Sequence, residues 1–104
     1  MKNYAEMSDS EINHEVARHF FDAAWLDRHY GKEGMIPDYC CDWSDAGQVM
    51  VENKIGIETT ATSSEWMART CSTNMSNMTF RCHKHKNPLR AAMIVFLMMK
   101  DAER

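Results

Sequence analysis

The chain holds few of the residues that build phosphate loops, metal clusters and strained catalytic turns. Its 104 residues include four glycines and two prolines, and they form no glycine-rich phosphate loop, nucleophile elbow or kinase signature. The four cysteines include no CxxC pair, so the usual spacing of a zinc or redox site is missing and reduced thiols are expected. These absences predict a protein that is not an enzyme and holds no cofactor.

The chain also lacks an excess of positive charge and a long apolar segment. A formal net charge of −3 and a pI near 5.9 argue against a general affinity for nucleic acid or an acidic membrane surface. The apolar run Ala91 to Met99 is about half the roughly 18 residues needed to cross a bilayer. Residues 1–11 are largely polar and show no secretory leader, so we expect a cytoplasmic protein without membrane contact.

What is present is a strongly apolar C-terminal segment with a clear helix start. Asn87 is a favourable N-cap, and Pro88 suits the first helical position because its missing N–H would be unbonded there. Apolar side chains then fall on both sides of the helix, so two surfaces must be covered. We favour a central core helix; the alternative is a second face that docks on another subunit. Arg90 lies near the positive end of the helix dipole, and we expect an acidic or aromatic partner for it unless it is simply solvated.

Two further helices are predicted nearer the N-terminus. Ser8 and Glu11 form the capping-box pattern, in which each side chain accepts the backbone N–H of the other residue. Apolar residues at helical spacing follow, and they predict one continuous helix as far as about His29. Asp42 or Ser44 is expected to cap the second helix.

Period-two alternation indicates three short strands before the final helix. The first two cover residues 55–58 and 65–69 and are joined by a serine- and threonine-rich turn. The third is expected to place Cys82 on its core side and His83 on its wet side. The predicted fold class is α+β, a small three-stranded antiparallel sheet packed between helices as an α/β/α sandwich, with the order ααβββα in a single domain spanning residues 1–104.

Four short blocks of the sequence resemble one known family. They are Ser8-Asp9 with Glu11-Ile12-Asn13, Asp42-Trp43-Ser44-Asp45-Ala46-Gly47, Glu52-Asn53 with Ile55 and Ile57, and Asn87-Pro88-Leu89-Arg90-Ala91-Ala92. Together they are similar to the phage ABA sandwich domain of small uncharacterised proteins from tailed phages and prophages, with residues 20–35 as extra length. The resemblance implies a sheet between helical layers and a bacterial host cytoplasm, and it implies no activity or ligand.

Positive and titratable side chains are concentrated at the entry to the C-terminal helix. A helix N-terminus presents free N–H groups that favour anions, so these residues are the leading candidate for a binding site. They are called the basic cluster here and comprise Arg81, His83, Lys84, His85, Lys86 and Arg90. A phosphate, an acidic partner surface or a nucleic-acid backbone would suit the basic cluster, and the alternative is a solvated rim. His83 and His85 share one side of a strand and could hold a metal if a third ligand joined them.

The apolar second faces of the first and last helices offer a different kind of site. Phe21 and Trp25 lie on the first helix, and Val95 and Met98 lie on the last. Ten methionines are many for this length, and methionine often lines adaptable binding surfaces. The leading hypothesis is a non-enzymatic phage or prophage accessory protein that binds a protein partner through these residues or pairs with a second copy as a homodimer. Anion or nucleic-acid binding by the basic cluster and metal binding by two of its histidines are the alternatives.

Overall fold

The computed structural model describes residues 3–29, 36–60, 64–71 and 80–102, with only the backbone described at positions 27, 29, 71, 80, 81 and 102. A short 3-10 turn at Tyr4–Glu6 precedes four α-helices and three strands in these ranges. They are α1 (Asp9–Ala17), α2 (Ala23–His29), α3 (Trp43–Glu52), β1 (Gly56–Thr59), β2 (Trp66–Cys71), β3 (Phe80–His85) and α4 (Pro88–Ala102). The α+β class and the order of helices, three strands and a final helix are confirmed. None of the helices in the described ranges combines the length and apolar character of a membrane span.

Side-chain caps fix where three of the helices begin. The Ser8 hydroxyl accepts the Glu11 N–H at 3.2 Å, and the Glu11 carboxylate accepts the Ser8 N–H at 3.4 Å. Asp42 accepts the N–H of Ser44 at 2.8 Å at the start of α3. Asn87 Oδ1 accepts the Leu89 N–H at 2.9 Å at the start of α4. Each such cap contributes about 1 kcal/mol, and the three predicted helix starts are confirmed.

The first predicted helix is two helices, α1 and α2, separated by a turn. The N–H groups of Phe20 and Phe21 both donate to the Ala17 carbonyl at 2.9 Å, which ends α1. Asp22 then begins α2, because its carboxylate accepts the Trp25 N–H at 3.3 Å. An aspartate side chain that bonds nearby backbone competes with a continuous helix at its own position. The prediction of one unbroken helix is therefore wrong.

The three strands form an antiparallel sheet in the order β1, β2, β3. The register aligns Ile57, Ala68 and His83 across the sheet, and Ala68 is fully buried while the other two are half-buried. The adjacent row contains Arg69 and Cys82, both exposed. The predicted facing of β3 is therefore wrong, because pairing with the buried Ala68 puts His83 on the inner face and Cys82 on the outer one.

Helix α4 is the middle layer of the described structure. It packs on the strands of the sheet and also on α1 and α3, and each residue from Leu89 to Leu97 is buried. The outer face of the sheet is polar, and a Glu58 carboxylate oxygen lies 3.1 Å from Arg69 Nε there. The layer order thus differs from the predicted sandwich, which placed the sheet in the middle. The physical reason is that α4 is apolar on both sides, whereas the sheet is apolar on one face only.

Arg90 joins the N-terminal segment to the start of α4. Its Nη1 lies 2.7 Å from the Asp9 carboxylate, and its Nη2 donates to the carbonyl oxygens of three residues in the segment 4–7. At the other end of α4, the Tyr4 hydroxyl donates to the Asp101 carboxylate. The acidic partner predicted for Arg90 is therefore confirmed, and it is Asp9.

Candidate functional site

The structure divides the basic cluster among three environments. Lys84 is exposed on the outer face of the sheet, and Lys86 is exposed between β3 and α4. His83 and His85 lie on the inner face, where both are half-buried. Arg90 is buried, with only 6% of its surface exposed. These five residues therefore do not converge on one exposed surface.

The two arginines of the basic cluster, Arg81 and Arg90, differ from its other members. Arg81 lies opposite Thr70 in the register of β2 and β3, and its side chain is outside the described part of the structure. Arg90 was predicted as an anion ligand, and that assignment is wrong. Its guanidinium already pairs with Asp9 and with backbone carbonyl groups inside the protein. Among the described side chains of the basic cluster, the exposed ones that an anion could contact are Lys84 and Lys86.

His83 and His85 share the inner face, but their surroundings do not favour a metal site. Burial lowers the pKa of the His83 imidazole below its usual 6.5, and the neighbouring His85 and Arg90 lower it further, while Glu65 acts in the opposite direction. His85 Nδ1 accepts the N–H of Asn87 at 2.9 Å, so this nitrogen is already used. Within the ranges that the structure covers, no group of three or more His, Cys, Asp or Glu side chains could hold a metal ion.

The four predicted interface residues separate into exposed and covered ones. The rings of Phe21 and Trp25 stack with their centroids 5.2 Å apart, and Phe21 is 37% exposed. Val95 is fully buried and Met98 is half-buried. The assignment of Val95 to a docking surface is therefore wrong, because α1, α3 and the sheet of the same chain cover both sides of α4.

A cleft of about 270 Å³ lies between the turn that joins α1 to α2, the segment before α3, and α3 itself. Aromatic side chains and carboxylates dominate its walls, so it is called the aromatic–acidic cleft here. The lining residues are Phe20, Phe21, Pro37, Tyr39, Asp45, Gln48, Val49 and Glu52. This set offers rings, carboxylates and an amide, which are groups suited to binding.

The aromatic wall of the cleft is held in place by the core. The ring of Phe20 stacks on the buried ring of Phe96, with centroids 5.7 Å apart and an angle of 14° between the planes. The Phe20 ring also lies 6.4 Å from the ring of Tyr39, with a tilt of 34° between the planes. Phe20 is nevertheless 47% exposed. The cleft therefore presents an aromatic surface whose position is already fixed.

The acidic edge of the cleft comes from α3. Asp45, Gln48 and Glu52 are spaced by three and four residues and so share one side of this helix. The Asp45 carboxylate accepts the Asp38 N–H at 3.1 Å, which orients it. Burial, together with the negative charge of Asp45, raises the pKa of the Tyr39 phenol to about 12, so that phenol stays neutral at pH 7. The described side chains that line the cleft therefore carry a net negative charge.

Sequence reasoning anticipated only Phe21 among the residues of the cleft. The signal it passed over is Asp22, which is a good helix N-cap and marks the turn that brings Phe20 and Phe21 to the cleft. The polar positions on α3 carry no such signal, because carboxylates on a helix surface usually face water.

Comparison with known proteins connects the chain to a phage family. The family model described as "Bacteriophage P22, NinX" matches residues 3–100. The match includes every residue that lines the aromatic–acidic cleft. No curated protein and no solved structure matches the chain. This match supports the predicted small phage protein, and it does not confirm the name of the phage ABA sandwich domain.

Proposed function

This chain belongs to the bacteriophage P22 NinX family, and from that premise we propose that it is a phage accessory protein that acts by binding another protein. The observation that carries the proposal is the exposed aromatic surface at the turn between α1 and α2. Phe20 is 47% exposed and Phe21 is 37% exposed, and both rings line the aromatic–acidic cleft. Trp25 extends this surface by stacking on Phe21.

The energetics of exposed aromatic rings support a binding role. Full burial of a phenylalanine side chain contributes about 1.5–3 kcal/mol, and the fold forgoes part of that contribution at two adjacent positions. Single exposed apolar residues are ordinary, whereas adjacent rings beside a cleft are typical of surfaces that bind proteins. The proposed setting is the cytoplasm of the infected bacterium, where phage proteins are synthesised.

The alternative function, binding of an anion or a nucleic acid by the basic cluster, has weaker support. Arg90 is committed to Asp9, and Lys84 lies on the opposite face of the sheet from His83 and His85. Metal binding by the two histidines has no third ligand within the described residues.

Site-specific photo-crosslinking in infected cells tests the proposal. A benzophenone amino acid would replace Phe21, in the exposed aromatic surface, and separately Lys84, on the outer face of the sheet. Ser10, exposed on α1, is the matched control position. We expect a covalent adduct of defined mass from position 21 and none from position 10. Adducts from position 84 alone would favour the basic surface instead, and adducts from no position would overturn the proposal.

Binding measurements with the captured protein complete the test. The Phe21→Ala variant removes a partly exposed ring, so the fold should persist while affinity for the purified partner falls at least tenfold. Aromatic anchors commonly contribute this much at interfaces. A Ser10→Ala variant should bind as the unmodified protein does.

A further inference from the structure

We propose that the aromatic–acidic cleft receives the guanidinium group of an arginine side chain from the partner protein. This inference rests on the proposed function and adds the chemical class of the group that is recognised. It is carried by the size of the cleft, its fixed aromatic wall and the sign of its charge.

The size of the cleft suits a single side chain. Its volume of about 270 Å³ lies just below the range of roughly 300–1,000 Å³ that is typical of small-molecule pockets. A cleft of this size can admit one long side chain.

The aromatic wall attracts cations. A cation over the face of a phenylalanine or tyrosine ring is stabilised by the ring quadrupole, by more when water is excluded. The Phe20 ring contacts the rings of Phe96 and Tyr39 and is still 47% exposed, so binding does not need to order it. Tyr39 is buried and its pKa is raised to about 12, so its ring remains a neutral phenol.

The carboxylates select the sign of the ligand. Asp45 and Glu52 lie on one side of α3, and none of the described residues that line the cleft is a lysine, arginine or histidine. A phosphate or an acidic peptide would be repelled there, and a cation would be attracted.

The shape of the site favours arginine over lysine. A guanidinium is planar, so it can stack on the ring of Phe20 and at the same time donate two parallel hydrogen bonds to a carboxylate such as that of Glu52. A lysine ammonium is a compact and strongly hydrated charge, which can satisfy one of these interactions at a time.

Titration followed by amide NMR tests the proposal with defined probes. The probe is N-acetyl-arginine methylamide, and the matched neutral control is the citrulline analogue, which has nearly the same shape without the charge. We expect saturable shifts of the Phe21, Gln48 and Val49 amides with arginine at millimolar concentrations and at least fivefold weaker binding of citrulline. The lysine analogue should bind at least twofold more weakly than arginine.

Variants locate the binding. Glu52→Gln removes one carboxylate near the end of α3, where a negative charge does not stabilise the helix, so the fold should persist and arginine affinity should fall at least threefold. Glu6→Gln removes an exposed carboxylate away from the cleft and should leave the affinity unchanged. Equal binding of arginine and citrulline, or equal affinity in the two variants, would overturn the proposal.

The outcomes separate this inference from the proposed function. If a partner is captured at position 21 and binds the Glu52→Gln variant as tightly as the unmodified protein, the arginine proposal fails and the interaction function stands. If arginine binds as expected but no adduct forms at position 21, the interaction function fails, and with it the assignment of the arginine to a partner.

Discussion

Arg90 is a buried charge whose hydrogen-bond acceptors come from one short segment of the chain. The Asp9 carboxylate and the carbonyl oxygens of Tyr4, Ala5 and Met7 accept hydrogen bonds from its guanidinium, and only 6% of Arg90 is exposed. The Nε atom of Arg90 has no hydrogen-bond partner among the described residues. Because the arginine and its acceptors are more than 80 positions apart, this contact fixes the N-terminal segment onto α4.

Replacing Arg90 by methionine should lower the free energy of unfolding by about 2–4 kcal/mol. Methionine keeps the apolar stem but removes the guanidinium donor from the carbonyl groups of Tyr4, Ala5 and Met7. The Asp9 side chain is 48% exposed, so water can solvate its charge and the loss stays below that of a fully buried pair. Urea denaturation followed by circular dichroism measures the change. Asp9→Asn is the control and should cost about 1 kcal/mol or less; an equal loss in both variants would contradict the importance of the carbonyl contacts.

His83 should make the protein less stable as the pH falls below about 7. Its folded-state pKa is lowered, chiefly by burial and then by His85 and Arg90, so the unfolded chain binds more protons near pH 6. The free energy of unfolding should therefore decrease from the unfolded-state pKa of about 6.5 down to the folded-state pKa. His83→Gln should reduce this slope when urea denaturation is compared at pH 7.5 and 5.5. An unchanged slope in that variant would mean that other groups produce the pH dependence.

At the scale of elements, a helix end that carries a local capping signal could be predicted from the sequence. The side of a strand that meets the core could not, because tertiary contacts decide it. Asn87 and Pro88 define the start of α4 within one turn, so no distant residue is needed to predict it. The facing of β3 depends instead on its register with β2, because the pairing of His83 with Ala68 decides which side meets α4. Met78, Phe80 and Cys82 alternate with more polar residues in the sequence, and this alternation predicts the wrong side for Cys82.

The aromatic–acidic cleft was even harder to predict from the sequence than the orientation of β3. It joins residues 20–21, 37–39 and 45–52, which lie in three separate parts of the chain. Only Phe21 was predicted as a binding residue. The others become neighbours through the turn at Asp22, which the apolar pattern of the surrounding residues concealed.

The corrected facing of β3 predicts which cysteines react. Cys82 is exposed, whereas Cys40 is fully buried and burial, followed by the charge of Asp9, raises the pKa of its thiol to about 12. At pH 8 that pKa leaves about a thousandfold less thiolate than an ordinary thiol has. N-ethylmaleimide should therefore modify Cys82 at least a hundredfold faster than Cys40, as measured by peptide mass mapping. Both should react at similar rates in urea. Protection of Cys82 in the native protein would instead support the sequence-based prediction that Cys82 lies on the core side of β3.

At the scale of the whole molecule, the apolar character of α4 on both sides required two covering surfaces. One is the sheet, and the other is formed by α1 and α3 of the same chain. A homodimer was one predicted way to cover the second side, and within the described structure the chain covers it without a partner. Val95 therefore offers no surface to a second copy, since its side chain is fully buried.

The protein should consequently be a monomer of 12.1 kDa, with a mass that does not change on dilution. The exposed aromatic surface at the turn between α1 and α2 does not favour self-association, because a twofold dimer places the same patch against itself and Asp45 and Glu52 would face their own copies. Size-exclusion chromatography with light scattering, at protein concentrations spanning a hundredfold, measures the mass. A species of twice this mass at the higher concentrations would contradict the argument. The Phe21→Ala variant then identifies the surface involved, because a dimer formed through the aromatic surface would dissociate and a dimer formed elsewhere would persist.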